Sequence, residues 1–333
     1  MTKQIFFIEK STPFNASDLD SPSIGGAEKV LINISNELSN NSDLLIKVFN
    51  LNSDKQYFNN VEWNNINKIN NYHNPDFLIA FSDANLLSLM NAKKKFLWSH
   101  SVQSIEKFIR KKQLFPFLKN KPLVILEGKY HFKNRSFLTS LFGKKIIQLA
   151  ADYDFINSKV ENDFLPNKNA IFTTRSDRNL DILLDCWKEI KLKSKNSNLF
   201  INPPFERTEY HKQLGIKVRS KGSKRDLIND LISSRVMLVP GHKGEVFCLA
   251  AEEARELCLP IVTMGIGSLY ERVEHNVTGF IARNKDEFIN YSTKILNDDN
   301  LYMKIKDNLI KMRNKRSYKN VIKDLLEIIN YDS

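Results

Sequence analysis

The sequence predicts an α/β protein made of two doubly wound, Rossmann-like domains, and three observations carry that expectation. Short apolar runs alternate with amphipathic helical patterns along almost the whole chain, the signature of parallel sheets covered by helices on both faces. The series occurs twice, with a polar, poorly periodic stretch at 150–169 between the two rounds. The 333 residues are enough for two domains of about 150 residues each.

In the first round the strand candidates are 4–8, 45–49, 77–81, 96–98, 123–126 and 146–149, and 27–38 is a helix with Val30, Leu31, Ile34 and Leu38 on one face. The second round offers strands at 170–173, 199–202, 217–218, 236–239, 261–264 and 279–282, with helices at 180–190, 226–233 and 247–257. From Asp286 onward the pattern is helical only, ending in a Lys-rich amphipathic segment at 318–329. The expected divisions are 1–150, 151–315 and a last helical piece, 316–333. Ligands of open α/β sheets bind at the carboxyl ends of the strands, so two such domains are expected to face each other across a cleft that holds the site.

Composition excludes several classes. With 42% hydrophobic and 26% charged residues the chain is globular, and eleven Gly and ten Pro leave no room for a long low-complexity linker. No uninterrupted apolar stretch of about eighteen residues occurs, so no membrane-spanning helix is expected. The first apolar run ends at Glu9, too early for a signal peptide. Three cysteines (Cys186, Cys248, Cys258), odd in number and without CxxC spacing, predict a reduced cytoplasmic protein with neither a disulfide framework nor a zinc site.

Net charge is +12 and uneven: residues 101–150 hold eleven Lys and Arg against only Glu106 and Glu127, interleaved with six Phe. Such a basic-aromatic surface, spanning 107–145, suits anionic lipid headgroups on the inner face of a membrane, or a polyanionic acceptor. A solvated helix face over ordinary core Phe is the plain alternative. No DNA- or RNA-binding motif accompanies the charge, so no nucleic acid partner is expected.

Four segments carry chemistry. PGHKGEVFCLAAEEARELCLPIVTMGIGSLYERV (240–273) reads as a buried strand's exit, a Gly-containing loop and a helix starting near Val246. The first helix amides, Phe247, Cys248 and Leu249, would lack intrahelical partners at the positive pole of the helix dipole, a site suited to a diphosphate. Glu245 and Glu253 stand eight positions apart, placed to contact two parts of one elongated ligand. FTTRSDRNLDILLDCW (172–187) is a strand, a polar turn with Arg175 and Arg178, and a helix; departure of a diphosphate needs such fixed positive charge. Gly25 and Gly26 open the first helix and permit close backbone approach to a ligand. His100 follows a buried strand in FLWSHSVQ, whereas His131 reads as a packing or surface residue, and His242 and Lys243 lie beside Glu245. The pairs Asp152/Asp154 and Asp18/Asp20 fall in loops far from these motifs, so no metal is expected.

Glu245, Glu253, Pro260 and the loop GIGSLYE resemble the donor-binding region of retaining glycosyltransferases of family 4 (glycosyl transferases group 1), of GT-B architecture, whose hallmark is Glu, seven residues, Glu, then a Pro-led strand. Residues 172–187 are similar to the family's phosphate-binding turn, with Arg178 in the basic place and Asn179 where the family has Gly. Gly25 and Gly26 resemble its GGxE loop, and His100 its sugar-facing His. Cys248 stands where the family often has Gly.

The resemblance implies a retaining, metal-independent hexosyltransferase acting on a UDP- or GDP-sugar, with no cofactor. Glu253 would hold ribose, Glu245 the sugar, the amides of Phe247–Leu249 the distal phosphate, and Arg178 the leaving diphosphate, with Arg175 and Lys243 nearby. The first domain would take a glycan or lipid-linked acceptor, as in cell-surface polysaccharide biosynthesis, and 316–333 would return to it. A nucleotide-sugar 2-epimerase or a non-catalytic binder of the same fold remain the alternatives.

Overall fold

The run KQIFFI, buried over its last four residues, lies at the centre of the first sheet, as expected of a strand covered on both faces. The computed structural model describes residues 2–21, 24–52, 55–220, 222–313 and 315–331. It divides into two units, one of Met1–Leu149 with Tyr318–Ser333, the other of Ala150–Ser317.

The first unit contains β1 (Lys3–Ile8), α1 (Gly26–Leu38), β2 (Leu44–Asn50), β3 (Gln56–Phe58), β4 (Val61–Asn65), β5 (Phe77–Phe81), β6 (Lys94–Trp98), α2 (Ile105–Arg110), α3 (Leu114–Asn120), β7 (Leu123–Leu126), α4 (Lys129–Lys133) and β8 (Lys144–Ile146). Among the described residues the sheet has eight strands in the order β3-β4-β2-β1-β5-β6-β7-β8, parallel except for the β3–β4 hairpin. Its core includes Phe6, Ile8, Leu78, Ala80, Leu97 and Val124.

Two differences from the sequence reading have local causes. The β3–β4 hairpin was not expected; it turns at Asn59 and Asn60, both with positive φ (46° and 61°), the backbone of a tight hairpin turn that Asn tolerates. The last strand is Lys144–Ile146 rather than 146–149. Its pairing partner is Val124–Leu126, and backbone pairing at a sheet edge leaves no apolar trace in the sequence.

The second unit contains α5 (Tyr153–Asn157), β9 (Ala170–Phe172), α6 (Leu180–Lys193), β10 (Leu199–Ile201), α7 (Glu209–Gln213), β11 (Ile216–Val218), α8 (Lys224–Ile232), β12 (Val236–Leu238), α9 (Leu249–Glu256), β13 (Ile261–Thr263), β14 (Gly279–Ile281), α10 (Lys285–Asn297) and α11 (Asp299–Met312). Among the described residues its six strands, all parallel, run β11-β10-β9-β12-β13-β14. Helix α6 buries Leu180, Leu183, Cys186, Trp187 and Ile190 on one stripe, each large apolar side chain worth about 1.5–3 kcal/mol. The stretch at 150–169 is not featureless, because Asp152 caps α5 by accepting from the Asp154 amide. The last helix, α12 (Tyr318–Tyr331), belongs to the first unit and packs on α1.

Candidate active site

In the second unit, β9 and β12 lie side by side, and the chain leaves both at their carboxyl ends toward one group of loops. After β9, the Arg178 amide donates to the Arg175 carbonyl at 3.0 Å to close a turn. Asn179 then caps α6 at φ 61°, ψ 38°, a left-handed conformation that Asn adopts more readily than other side-chain-bearing residues. Its side-chain amide donates to the Gly241 carbonyl, tying the β9 turn to the loop that leaves β12.

That second loop is locked against a third. Gly241 (φ +98°) and Gly267 (φ +77°) have no room for a side chain: a Cβ would lie 2.5 Å from the Ile266 carbonyl oxygen and 2.3 Å from that of His242, respectively. The Glu245 amide donates to the His242 carbonyl, and the Ser268 amide to the Glu245 carbonyl, both at 2.9 Å. The GIGSLYE loop therefore fixes the backbone of Glu245.

The side chains converge. Arg178 Nε is 3.3 Å from Glu245 Oε2, with both side chains about one-fifth exposed (19% and 21%). Arg178 Nη1 lies 3.0 Å from His242 Nδ1, and the Gly244 amide donates to the same nitrogen at 3.0 Å. Guanidinium and amide can only donate, so Nδ1 is the acceptor and the ring carries its hydrogen on Nε2. The sequence reading gave His242 nothing beyond proximity. The structure makes it the support of Arg178. Nearby on the same sheet ends, the hydroxyls of Thr173, Thr174 and Ser268 are buried without hydrogen-bond partners.

The helix expected from 247 begins two residues later. Cys248 is the N-cap of α9 at φ 65°, ψ 75°, so the amides at the head of the helix are those from Leu249 onward, and Phe247 and Cys248 precede it. A left-handed residue cannot continue a right-handed helix, which is why the apolar pattern ran on but the helix did not. Phe247 is buried beneath the Arg272 guanidinium, 4.1 Å from its ring centre, and Arg272 pairs with buried Glu252 at 2.7 Å. Burial holds the Cys248 thiol well above its usual pKa, Glu245 adding to the effect.

Of the other expected contacts, Glu253 lies half-buried inside α9 and Lys243 is exposed. Arg175 is exposed and pairs with Asp177 at 2.8 Å. Asp152 and Asp154 both pair with Lys224, at 2.9 and 3.0 Å.

In the first unit, Gly26 opens α1 and Gly25 caps it; Pro22 and Ser23 of the same motif lie outside the described residues. A Cβ on Gly25 would come 2.7 Å from Glu28 Oε2, and the other oxygen of Glu28 accepts from the Ser11 hydroxyl at 2.6 Å. Beside this turn, at the end of β1, Glu9 is buried with Oε2 unpartnered. Burial pushes its carboxyl pKa up, hydrogen bonds from Ser11 offset part of the rise, and the Glu28 charge adds to it.

His100 follows β6, its ring 4.8 Å from that of Phe81. Its Nδ1 is paired with buried Glu127, and its Nε2 is buried without a partner. His131, fully buried, accepts from the Glu127 amide at 3.3 Å through Nδ1 and faces the Ser101 carbonyl through Nε2 at 3.1 Å. Burial lowers its pKa, so it is a neutral support for the segment that carries Glu127. Glu127 escaped the sequence reading, where it counted only as one of two acids in a basic block.

Residues 167–312 match the family model described as glycosyl transferases group 1. The chain is a transferase. No curated protein sequence matches it. Among solved structures, this transferase is similar to sucrose-phosphate synthase from Thermosynechococcus elongatus (TM-score 0.75, 11% identity, covering 99% of this chain and 98% of that one). It is also similar to HepE of Anabaena in complex with UDP and glucose (0.71, 16%, 98% and 99%) and to a glycosyltransferase from Rickettsia africae (0.72, 16%, 99% and 98%). At these identities the likeness is one of fold, the parallel-sheet α/β fold of GT-B glycosyltransferases. Among the described residues no helix is long and apolar enough to cross a membrane.

Proposed function

We propose that this transferase moves a hexose from a UDP- or GDP-sugar to a glycan or lipid-linked acceptor with retention of configuration, in the building of a cell-surface polysaccharide. The observation that carries the reading is the Arg178–Glu245 contact of 3.3 Å, supported from His242, on the loop that leads into α9. The group 1 domain supports it, as does the UDP and glucose bound in the Anabaena structure of similar fold.

On this reading the arriving diphosphate takes over the Arg178 guanidinium, whose planar fork suits phosphate oxygens, and the amides at the head of α9 share the charge. Glu245, released from Arg178, accepts hydrogen bonds from the sugar hydroxyls. Glu253 holds the ribose. Gly25 and Gly26 let backbone approach the phosphates, and His100 turns Nε2 to the sugar with Glu127 behind it.

The acceptor hydroxyl attacks the anomeric carbon on the face the diphosphate leaves. One carbon–oxygen bond forms as the other breaks, and a departing phosphate oxygen takes the acceptor's proton. Fixed positive charge meets negative charge as it develops, so no metal or cofactor is required.

The test is product analysis by proton NMR with a panel of nucleotide sugars, with and without chelator. The reading expects an α-linked donor to give an α-configured product at an unchanged rate in chelator. A β-configured product would remove the claim of retention, and an epimerised nucleotide sugar formed without acceptor would reassign the chain as an epimerase.

A further inference from the structure

A cavity of about 250 Å³ lies at the amino ends of β12 and β13, the end of the second sheet away from the Arg178–Glu245 contact. Leu231 and Ile232 of α8, Leu257 and Leu259 of the turn into β13, and Phe164 make its apolar walls. The exposed Lys159 and Glu161 border it with opposite charges. Since a cavity of roughly 150 Å³ takes up a benzene ring, this one has room for a small organic molecule.

Into this apolar setting α11 sends Lys306, only 3% exposed. Its ammonium donates to the Glu161 and Phe164 carbonyls, at 2.6 and 2.7 Å. Both acceptors are neutral, so among the described residues the charge is buried without a paired carboxylate. Arg219, Arg235 and Arg272, the other buried cations described in this unit, each pair with a carboxylate, at 2.6, 2.6 and 2.7 Å. Burial pushes the Lys306 pKa down, and the acidic groups around it, Cys258 first, offset only part of the fall. A buried cation is costly unless an anion meets it, and an ammonium carries three hydrogens, so one remains to be given to a ligand. The cavity offers the place for that anion and apolar walls for the body that carries it. One cation matches one negative charge, whereas the second charge of a phosphate would lack a partner.

We propose that this cavity binds a small monocarboxylic acid, with its carboxylate on the Lys306 ammonium and its compact apolar body against Leu231, Leu257, Leu259 and Phe164. The site lies wholly in the second unit and stands independently of the transfer reading.

The experiment is a fluorine NMR titration of 4-fluorophenylacetate, and of its neutral amide, into the full chain. Wild type is expected to bind the acid saturably and the amide at least about tenfold more weakly, the value of one charge-assisted contact. Lys306→Met is expected to weaken the acid by the same factor and to leave the amide unchanged. Ile232→Trp, on the α8 wall, fills the space and is expected to abolish binding of both. Thermal melts check folding. Lys306 also holds the carbonyls of Glu161 and Phe164, so if Lys306→Met melts early the decision passes to Ile232→Trp, which leaves those bonds intact.

Absence of saturable binding to wild type, equal affinity for acid and amide, or acid binding retained in folded Lys306→Met or in Ile232→Trp would each overturn the proposal.

Discussion

The guanidinium of Arg178 stands 3.3 Å from the carboxylate of Glu245, so a cation from the β9 turn and an acid from the β12 loop form one electrostatic unit. Because both side chains are mostly shielded from water, their attraction is stronger than that of a surface pair. Under the proposed function, an arriving diphosphate competes with Glu245 for Arg178. Glu245→Gln is therefore expected to bind free nucleoside diphosphate a few-fold more tightly. The same variant is expected to lose about a hundredfold in transfer, since the proposed acceptor of sugar hydroxyls is weakened. Calorimetry and initial rates on one protein preparation check both signs together.

His242 tests how far Arg178 depends on its support. His242→Ala removes the acceptor shared by Arg178 Nη1 and the Gly244 amide, and turnover is expected to fall about tenfold to a hundredfold. His242→Asn restores an acceptor oxygen near the place of Nδ1 and is expected to recover most of the rate. Equal loss in both variants would deny the positioning role.

Cys248 pairs a left-handed backbone with a buried side chain. Cys248→Gly relieves a strain of about 1–2 kcal/mol and gives up burial of similar size, so its stability in urea is expected to stay within about 1 kcal/mol of wild type. Cys248→Val adds β-branching at a positive φ and is expected to cost more than about 2 kcal/mol. The Cys248 thiol, buried and with its pKa held up, is expected to resist alkylation until the chain unfolds.

Glu9 supplies a pH dependence. Its carboxyl pKa is raised above the ordinary 4.5, chiefly by burial, so the native state favours the protonated form. That contribution to stability is full below the unfolded value and is lost as pH rises through the raised native value. Glu9→Gln keeps the shape and an acceptor for the Ser11 amide without the charge. It is expected to melt about 2 °C or more above wild type at pH 8, with the gap closing toward pH 4, as thermal melts across that range will read.

Much of this architecture was legible because buried parallel strands are written as continuous apolar runs: Phe77–Phe81 and Leu123–Leu126 match the expected ranges at both ends. Where burial is one-sided or pairing lies at an edge, the signal fades. Lys144–Ile146 pairs through its backbone while showing two lysines, and the hairpin at Gln56–Asn65 is announced only by Asn59–Asn60, a pair that admits positive φ. The site divides in the same way. Glu245 and Arg178 stood in recognisable local patterns. The parts played by His242 and Glu127 arise from contacts between loops distant in sequence, which no local spacing encodes.

The central claim is that Arg178 and its neighbours form the diphosphate site of a nucleotide-sugar transferase. Its most direct test is titration calorimetry of UDP, GDP and ADP into wild type and Arg178→Ala. One diphosphate is expected to bind wild type and to lose at least about tenfold in affinity in the variant, the value of one charge-assisted contact. Binding that is absent from wild type for all three, or unchanged in Arg178→Ala, would contradict it.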